Sequence, residues 1–195
     1  MDYKSKYFPG KLIVLIIEHF NLQKQIKTEN DINYWKEYVK VFYAEKCTYC
    51  IIMNQNGKEW TFKSSYLTLP FIFKDKYDEN VSLISVNIED SEEYLLETSN
   101  KYLLKIKNFS KIEKYSDNFV ITSGELRVIF DEKFKIEIYE FLSKNHQEIP
   151  MKEYNCSLVN DFGITPQFSR TLIISEALTE MNQSINEFIE KFDNN

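Results

Sequence analysis

The stretch from Asp161 to Phe192, DFGITPQFSRTLIISEALTEMNQSINEFIEKF, constrains this chain more than any other. Phe162-Gly163 makes a turn and Thr165 is a good N-cap. Pro166 takes the first helical position, where a missing N–H removes no hydrogen bond. Ile174, Leu178, Met181, Ile185, Phe188 and Phe192 then recur at spacings of four, three, four, three and four. That is the a/d seam of a helix that meets another helix. Phe168, Leu172, Ile173 and Ala177 widen the stripe at its N-terminal end. So much apolar surface exceeds what one sheet face usually covers. Either the rest of the domain buries it or another chain does.

The rest of the chain has the means to build its own core. Of 195 residues 43% are hydrophobic, including 13 Tyr and 15 Phe, which argues against disorder. Only 4 Gly and 4 Pro leave little material for linkers. The net charge of −6 lacks the electrostatic footprint of a nucleic-acid binder. Lys101, Lys105, Lys107, Lys111 and Lys114 read as solvated strand edges, so no direct nucleic-acid contact is expected. The run Leu12–Ile17 is too short to cross a membrane and is followed at once by Glu18 and His19. Cys47, Cys50 and Cys156 are an odd number, which suits a reducing intracellular setting rather than a disulfide framework.

In chain order, KLIVLIIEHFNLQKQIK is a helix apolar over most of its circumference and is expected to be deeply buried. Asn30 or Asp31 caps a second helix with Ile32, Trp35, Val39 and Phe42 as its buried stripe. Residues 47–54 form a strand, Asn56-Gly57 a hairpin turn, and Trp60–Lys63 the return strand. A short helix capped by Ser64 or Ser65 follows through Tyr66–Tyr77, with Pro70 in its first turn or breaking it. Val81–Ile88 is a strand, 89–100 is acidic and irregular, and Tyr102–Ile106 and Phe119–Phe130 are further strands. Asp131-Glu132 turns into a last strand. There Phe134, Ile136 and Ile138 share one face, Tyr139 and Phe141 the other, and Pro150 ends the run. A short helix over 154–159 leads to the long one. This order implies α+β architecture, an antiparallel sheet with helices segregated to one face. The expected organisation is one domain over 7–150 and a helical module over 151–192.

Few residues are arranged for chemistry. Cys47 and Cys50 stand three apart on a strand, so their side chains point to opposite faces, and no second pair completes a metal site. The histidines are His19 and His146. His19 with Glu18 or Asp31 would make an acid–base pair in an open pocket, but on an apolar helix it reads better as a hydrogen-bonded core residue. No phosphate-binding glycine loop or nucleophile elbow is present. Neither a catalytic residue, a metal ligand nor a cofactor is expected. Trp35, Tyr38, Phe42, Tyr43, Trp60 and Phe62 read as core and interface, because Lys36, Lys40 and Lys46 alternate with Glu37 and Glu45 instead of lining a basic groove.

Three stretches in order, NDINYWKEYVKVFYAEKCTYCIIMNQNGKEWTF, GELRVIFDEKFKIEIYEFLSKNHQEIP and VNDFGITPQFSRTLIISEALTEMNQSI, resemble the LIM-domain-binding protein family of transcriptional co-regulators. In the third, Gly163, Thr165, Leu172, Glu176 and Met181 fall on the family's helical pattern. The Pro9-Gly10 pair and the helix-first order look closest to its fungal and plant branches, and a fungal-type member fits best. The loop over 89–114 and the absence of a LIM-interaction peptide depart from the pattern, so LIM binding is not carried over.

The resemblance implies a nuclear-transport-factor-like cone, a curved sheet wrapped around helices, that forms a homodimer. It implies a nuclear adaptor whose helical module recruits a LisH/LUFS-type co-regulator of the single-stranded-DNA-binding-protein type, together with DNA-bound transcription factors. The partner surface falls on Phe168, Leu172, Ile173, Ile174, Ala177, Leu178, Met181 and Ile185. The strand face not turned to the helices, read as Ile129, Tyr139 and Phe141, is the expected dimer surface. The alternative is an enzyme of the ketosteroid-isomerase or dehydratase kind on the same cone, which requires an open apolar pocket.

Overall fold

The computed structural model describes residues 6–25, 31–55, 57–78, 81–115, 118–151 and 157–193. Its elements run α1 (Lys11–Lys24), α2 (Ile32–Phe42), β1 (Tyr43–Gln55), β2 (Lys58–Ser65), α3 (Leu69–Asp78), β3 (Ser82–Leu96), β4 (Lys101–Tyr115), β5 (Asn118–Phe130), β6 (Ile136–Pro150) and α4 (Pro166–Asp193). The six strands form one sheet in the order β2-β1-β6-β5-β4-β3. All neighbours are antiparallel except β1 and β6, which run parallel because α3 and the β3–β5 meander separate them in the chain. The expected α+β cone followed by a long helix is what folds, but the sheet is mixed rather than the antiparallel one expected.

Local chemistry explains most boundaries. Asp31 caps α2, its carboxylate accepting from the Asn33 amide at 3.1 Å. The β1–β2 hairpin closes over a two-residue loop, with Gln55 paired to Lys58 and Gly57 at φ 75°; Asn56 lies outside the described residues. β2 runs on through Ser65, so α3 starts later than expected, after Thr68, and Pro70 falls in its first turn. The short helix expected over 154–159 lies outside the described residues at 154–156, and 157–159 are not helical.

The acidic stretch expected to be irregular is the second half of β3, paired with β4. Its reason is tertiary. Gly10, the N-cap of α1, offers no side-chain cap. Glu93 on β3 supplies one, accepting from the amides of Gly10 and Ile13 at 3.0 Å each and from the Tyr7 hydroxyl at 3.2 Å. A carboxylate at a helix N-terminus satisfies orphan N–H groups and complements the dipole.

The core lies on the concave side. Leu12, Ile16 and Phe20 of α1, Trp35 and Val39 of α2, and Leu69, Ile72 and Phe73 of α3 pack against Leu104, Ile106, Phe109, Val120, Leu126 and Val128 of the sheet. α1 buries one face only; Val14 and Ile17 stay exposed. Cys47 belongs to this core and Cys50, though buried, does not, as their spacing on a strand requires.

Candidate functional site

Most of the interior of the cone is filled, and the polar groups around His19 satisfy one another. His19 of α1 meets the Tyr43 hydroxyl through Nε2 at 2.9 Å and the Gln23 amide through Nδ1 at 3.3 Å. The Gln23 amide nitrogen donates to the Tyr38 hydroxyl at 2.6 Å, and the Tyr77 hydroxyl donates to its oxygen at 2.8 Å. Aromatic rings of Phe20, Tyr38, Phe42, Tyr43, Phe73 and Tyr139 surround the imidazole. Burial, reinforced by the nearby Lys76 ammonium, lowers its pKa to about 3, so it is neutral at pH 7. His19 is therefore the hydrogen-bonded core residue that its helix suggested. No carboxylate joins it: the pairing considered with Glu18 or Asp31 does not form.

A cavity remains beside this network, about 40 Å³ in volume. Small-molecule sites occupy roughly 300–1,000 Å³, so it is too small for a substrate of the kind the enzyme alternative requires. The segment before α4 and its first turns close it: Phe162, Ile164, Phe168 and Leu172 line its wall, and Phe162 stacks on Trp60 at 4.6 Å.

The start of α4 is built as its sequence dictates. Thr165 Oγ1 accepts from the Phe168 amide at 3.1 Å, and Pro166 opens the helix. Gly163 holds φ 74°, and a Cβ there would stand 2.6 Å from the His146 ring. From this anchor the helix runs along the β2 edge with its polar side inward. Glu176 Oε1 accepts from the Lys63 amide at 3.1 Å and Thr179 Oγ1 from the Ser65 amide at 3.2 Å. Ser175 donates to the Ser64 hydroxyl at 3.0 Å. Thr171 and Gln167 donate to Asp75 of α3 at 2.7 and 3.0 Å. Edge-strand amides that would otherwise invite another strand are thus covered.

The expected partner surface divides in two. Phe168 and Leu172 belong to the core. Ile173, Ile174, Ala177, Leu178, Met181 and Ile185 are exposed, with Ile174 59%, Leu178 43%, Met181 53% and Ile185 47% accessible. The side chains of Phe188 and Phe192 lie outside the described residues. Beyond Leu172 the helix therefore turns serine, threonine and glutamate to its own domain and leaves Ile174, Leu178, Met181 and Ile185 of its a/d seam in water.

The expected dimer surface is corrected. Tyr139 and Phe141 stand on the concave face, each 5% exposed; Tyr139 stacks on Tyr49 at 4.8 Å and Phe141 packs edge-on to Phe109. The cause is a bulge. Ile129 pairs with Ile138 but Phe130 pairs with Ile136, so β6 inserts Glu137 and the inward-outward alternation changes phase there. Ile136 and Tyr139 both point inward, while Ile138 and Ile129 point outward and are half-buried. A feature that sequence reasoning missed follows. Tyr94, Leu103, Ile129 and Ile138 are successive register partners, an apolar row across the convex faces of β3, β4, β5 and β6. Ion pairs flank it: Arg127 with Glu140 at 3.1 Å, Lys107 with Glu92 at 2.6 Å and Lys101 with Glu137 at 2.6 Å.

Comparisons with known proteins bear on the family. The family model described as LIM-domain binding protein matches residues 12–153. The chain is 22% identical to the transcriptional corepressor SEUSS of Arabidopsis thaliana, over 95% of its own length and 24% of that protein. It is 28% identical to Adhesion defective protein 1 of Schizosaccharomyces pombe, over 71% of its own length and 38% of that protein. It thus spans well under half of either relative. Among solved structures, a chain of naphthalene 1,2-dioxygenase with indole in its active site superposes with a TM-score of 0.54 at 7% identity, covering 70% of this chain and 78% of that one. That likeness concerns the fold alone.

Proposed function

The chain belongs to the LIM-domain-binding protein family, and on that premise we propose that it is a non-catalytic transcriptional co-regulator, a nuclear adaptor with two protein-binding faces. One observation carries the reading: beyond Leu172, α4 is seated by its polar side and presents Ile174, Leu178, Met181 and Ile185 outward. A helix whose only task is to complete its own core buries its apolar stripe. An exposed a/d seam is the surface that another helix covers. The occupant is a helical module of the LisH/LUFS type, carried by a co-regulator of the single-stranded-DNA-binding-protein class. DNA-bound transcription factors join through the assembly, without direct contact between this chain and nucleic acid.

The convex row of Tyr94, Leu103, Ile129 and Ile138 serves self-association. A row of register partners is self-complementary about a two-fold axis, and paired charges at its rim set the register. The small cavity inside the cone supports the non-catalytic reading.

The test is binding of a purified LUFS-module protein to wild type, Leu178→Glu and Met181→Glu, by calorimetry. Both variants should keep the wild-type melting temperature and lose roughly thirtyfold or more in affinity, as central interface anchors do. Unchanged affinity in both would overturn the assignment of α4.

A further inference from the structure

The cavity inside the cone holds an unbalanced charge. Lys76 of α3 and Lys111 of β4 both pair with one carboxylate, Glu113 of β4; the Lys111 contact is 2.9 Å. All three side chains are largely or wholly buried. Both lysines line the cavity, and among the described residues no Asp or Glu lines it. His19 is neutral, and burial raises the nearby tyrosines 49, 77 and 139 above their ordinary pKa, so they are neutral too. Two ammonium groups thus face one carboxylate, leaving one positive charge over in an interior of low polarity. Such a charge is strongly unfavourable without a partner.

A second observation points into the same space. Thr122 of β5 and Ser143 of β6 line the cavity as well, 6% and 5% exposed. Thr122 is the register partner of Lys111, and Ser143 of Gly124, two residues along β5. About 40 Å³ admits a water-sized species and no oxyanion of several heavy atoms.

We infer that the cavity is a site for one small monovalent anion of the halide class, held by the Lys76 and Lys111 ammonium groups and the hydroxyls of Thr122 and Ser143. The anion balances the triad and ties α3 to the sheet. Because Asp75 on α3 anchors Thr171 and Gln167 of α4, its occupancy also steadies the seat of the exposed helix.

Two measurements test this. Thermal unfolding is followed in sodium chloride and in sodium gluconate at equal ionic strength. An anion that binds only the folded state should raise the wild-type midpoint in chloride, saturably, by roughly 3–5 °C at tenfold excess over its dissociation constant. The difference should vanish in Lys111→Met, which leaves the triad neutral, and shrink in Thr122→Val. Crystals grown in sodium bromide should show an anomalous peak between Thr122 and Ser143, a readout that needs no variant to fold. Equal midpoints in the two salts, a difference that persists in Lys111→Met, or bromide crystals with only water in the cavity would each overturn the proposal.

Discussion

His19 sets the acid limit of this molecule. Its folded pKa of about 3 lies below the ordinary value of 6.5, so between those values the unfolded chain binds a proton that the native state does not. Stability therefore falls as pH drops from about 6.5 toward 3, by an amount on the order of a few kcal/mol by pH 4. Glu113 acts in the same direction at lower pH. Burial raises its carboxyl, but Lys111 and Lys76 together outweigh that and bring it to about 2, so its contribution is lost as pH falls from about 4.5. Urea unfolding at pH 7, 5.5 and 4 should show a midpoint that declines at each step, the first decline preceding any carboxylate titration. A midpoint flat to pH 5 would mean that the imidazole is not held neutral by its cage of rings. Gly124 is constrained differently: a Cβ there would stand 1.9 Å from the carbonyl oxygen of Leu142, backbone that has no room to retreat. Gly124→Ala should cost about 2–3 kcal/mol, seen as a lower urea midpoint with an unchanged slope.

Among elements, α4 joins two roles that substitution separates. Leu172 is fully buried in the cone, and Leu172→Ala should destabilise by about 2–5 kcal/mol. Leu178→Glu, six residues further along and on the outer side, should change stability by no more than about 0.5 kcal/mol. Denaturant melts of the two variants side by side check this; equal losses would make the seam part of the core. The pattern of α4 was legible because Thr165, Pro166 and the four-three spacing are local signals. Which side of the stripe faces home was not, because Glu176 and Thr179 are drawn inward by the bare amides of β2 and Ser175 by the Ser64 hydroxyl, partners more than a hundred residues away. The same holds for β3. Its acidic run looked irregular until Glu93 was placed at the start of α1. For β6, alternation was read in the right phase at Ile136 and lost it at the bulge, since an inserted residue leaves no mark in composition. The caps at Asp31 and Thr165 were thus readable, as were Cys47 and Cys50 on opposite faces, while the cap expected at Ser64 or Ser65 was not, because β2 runs on through Ser65. Strand faces beyond a bulge, and the tertiary caps, were not.

At the scale of the whole molecule, the two surfaces lie on different parts of the fold, which is what an adaptor requires. The proposed partner seam runs along α4 beside the β2 edge, while the convex row crosses β3 to β6. Sheet order puts β2 at one edge and β3 at the other, so a second copy seated on the row leaves the outer seam free. Light scattering on wild-type protein at micromolar concentration should then give twice the 23.4 kDa of one chain. Ile129→Asp places a charge at the centre of the row, outside the core, and should halve the mass while the melt of the isolated chain is kept. Tyr139→Asp would report something else, because that ring is buried against Tyr49 and its loss unfolds the cone. Leu178→Glu should remain a dimer that no longer binds the LUFS module, and Ile129→Asp a monomer that still binds it at one copy per chain. Loss of both properties in either variant would mean that the two faces are one interface and that the adaptor reading fails.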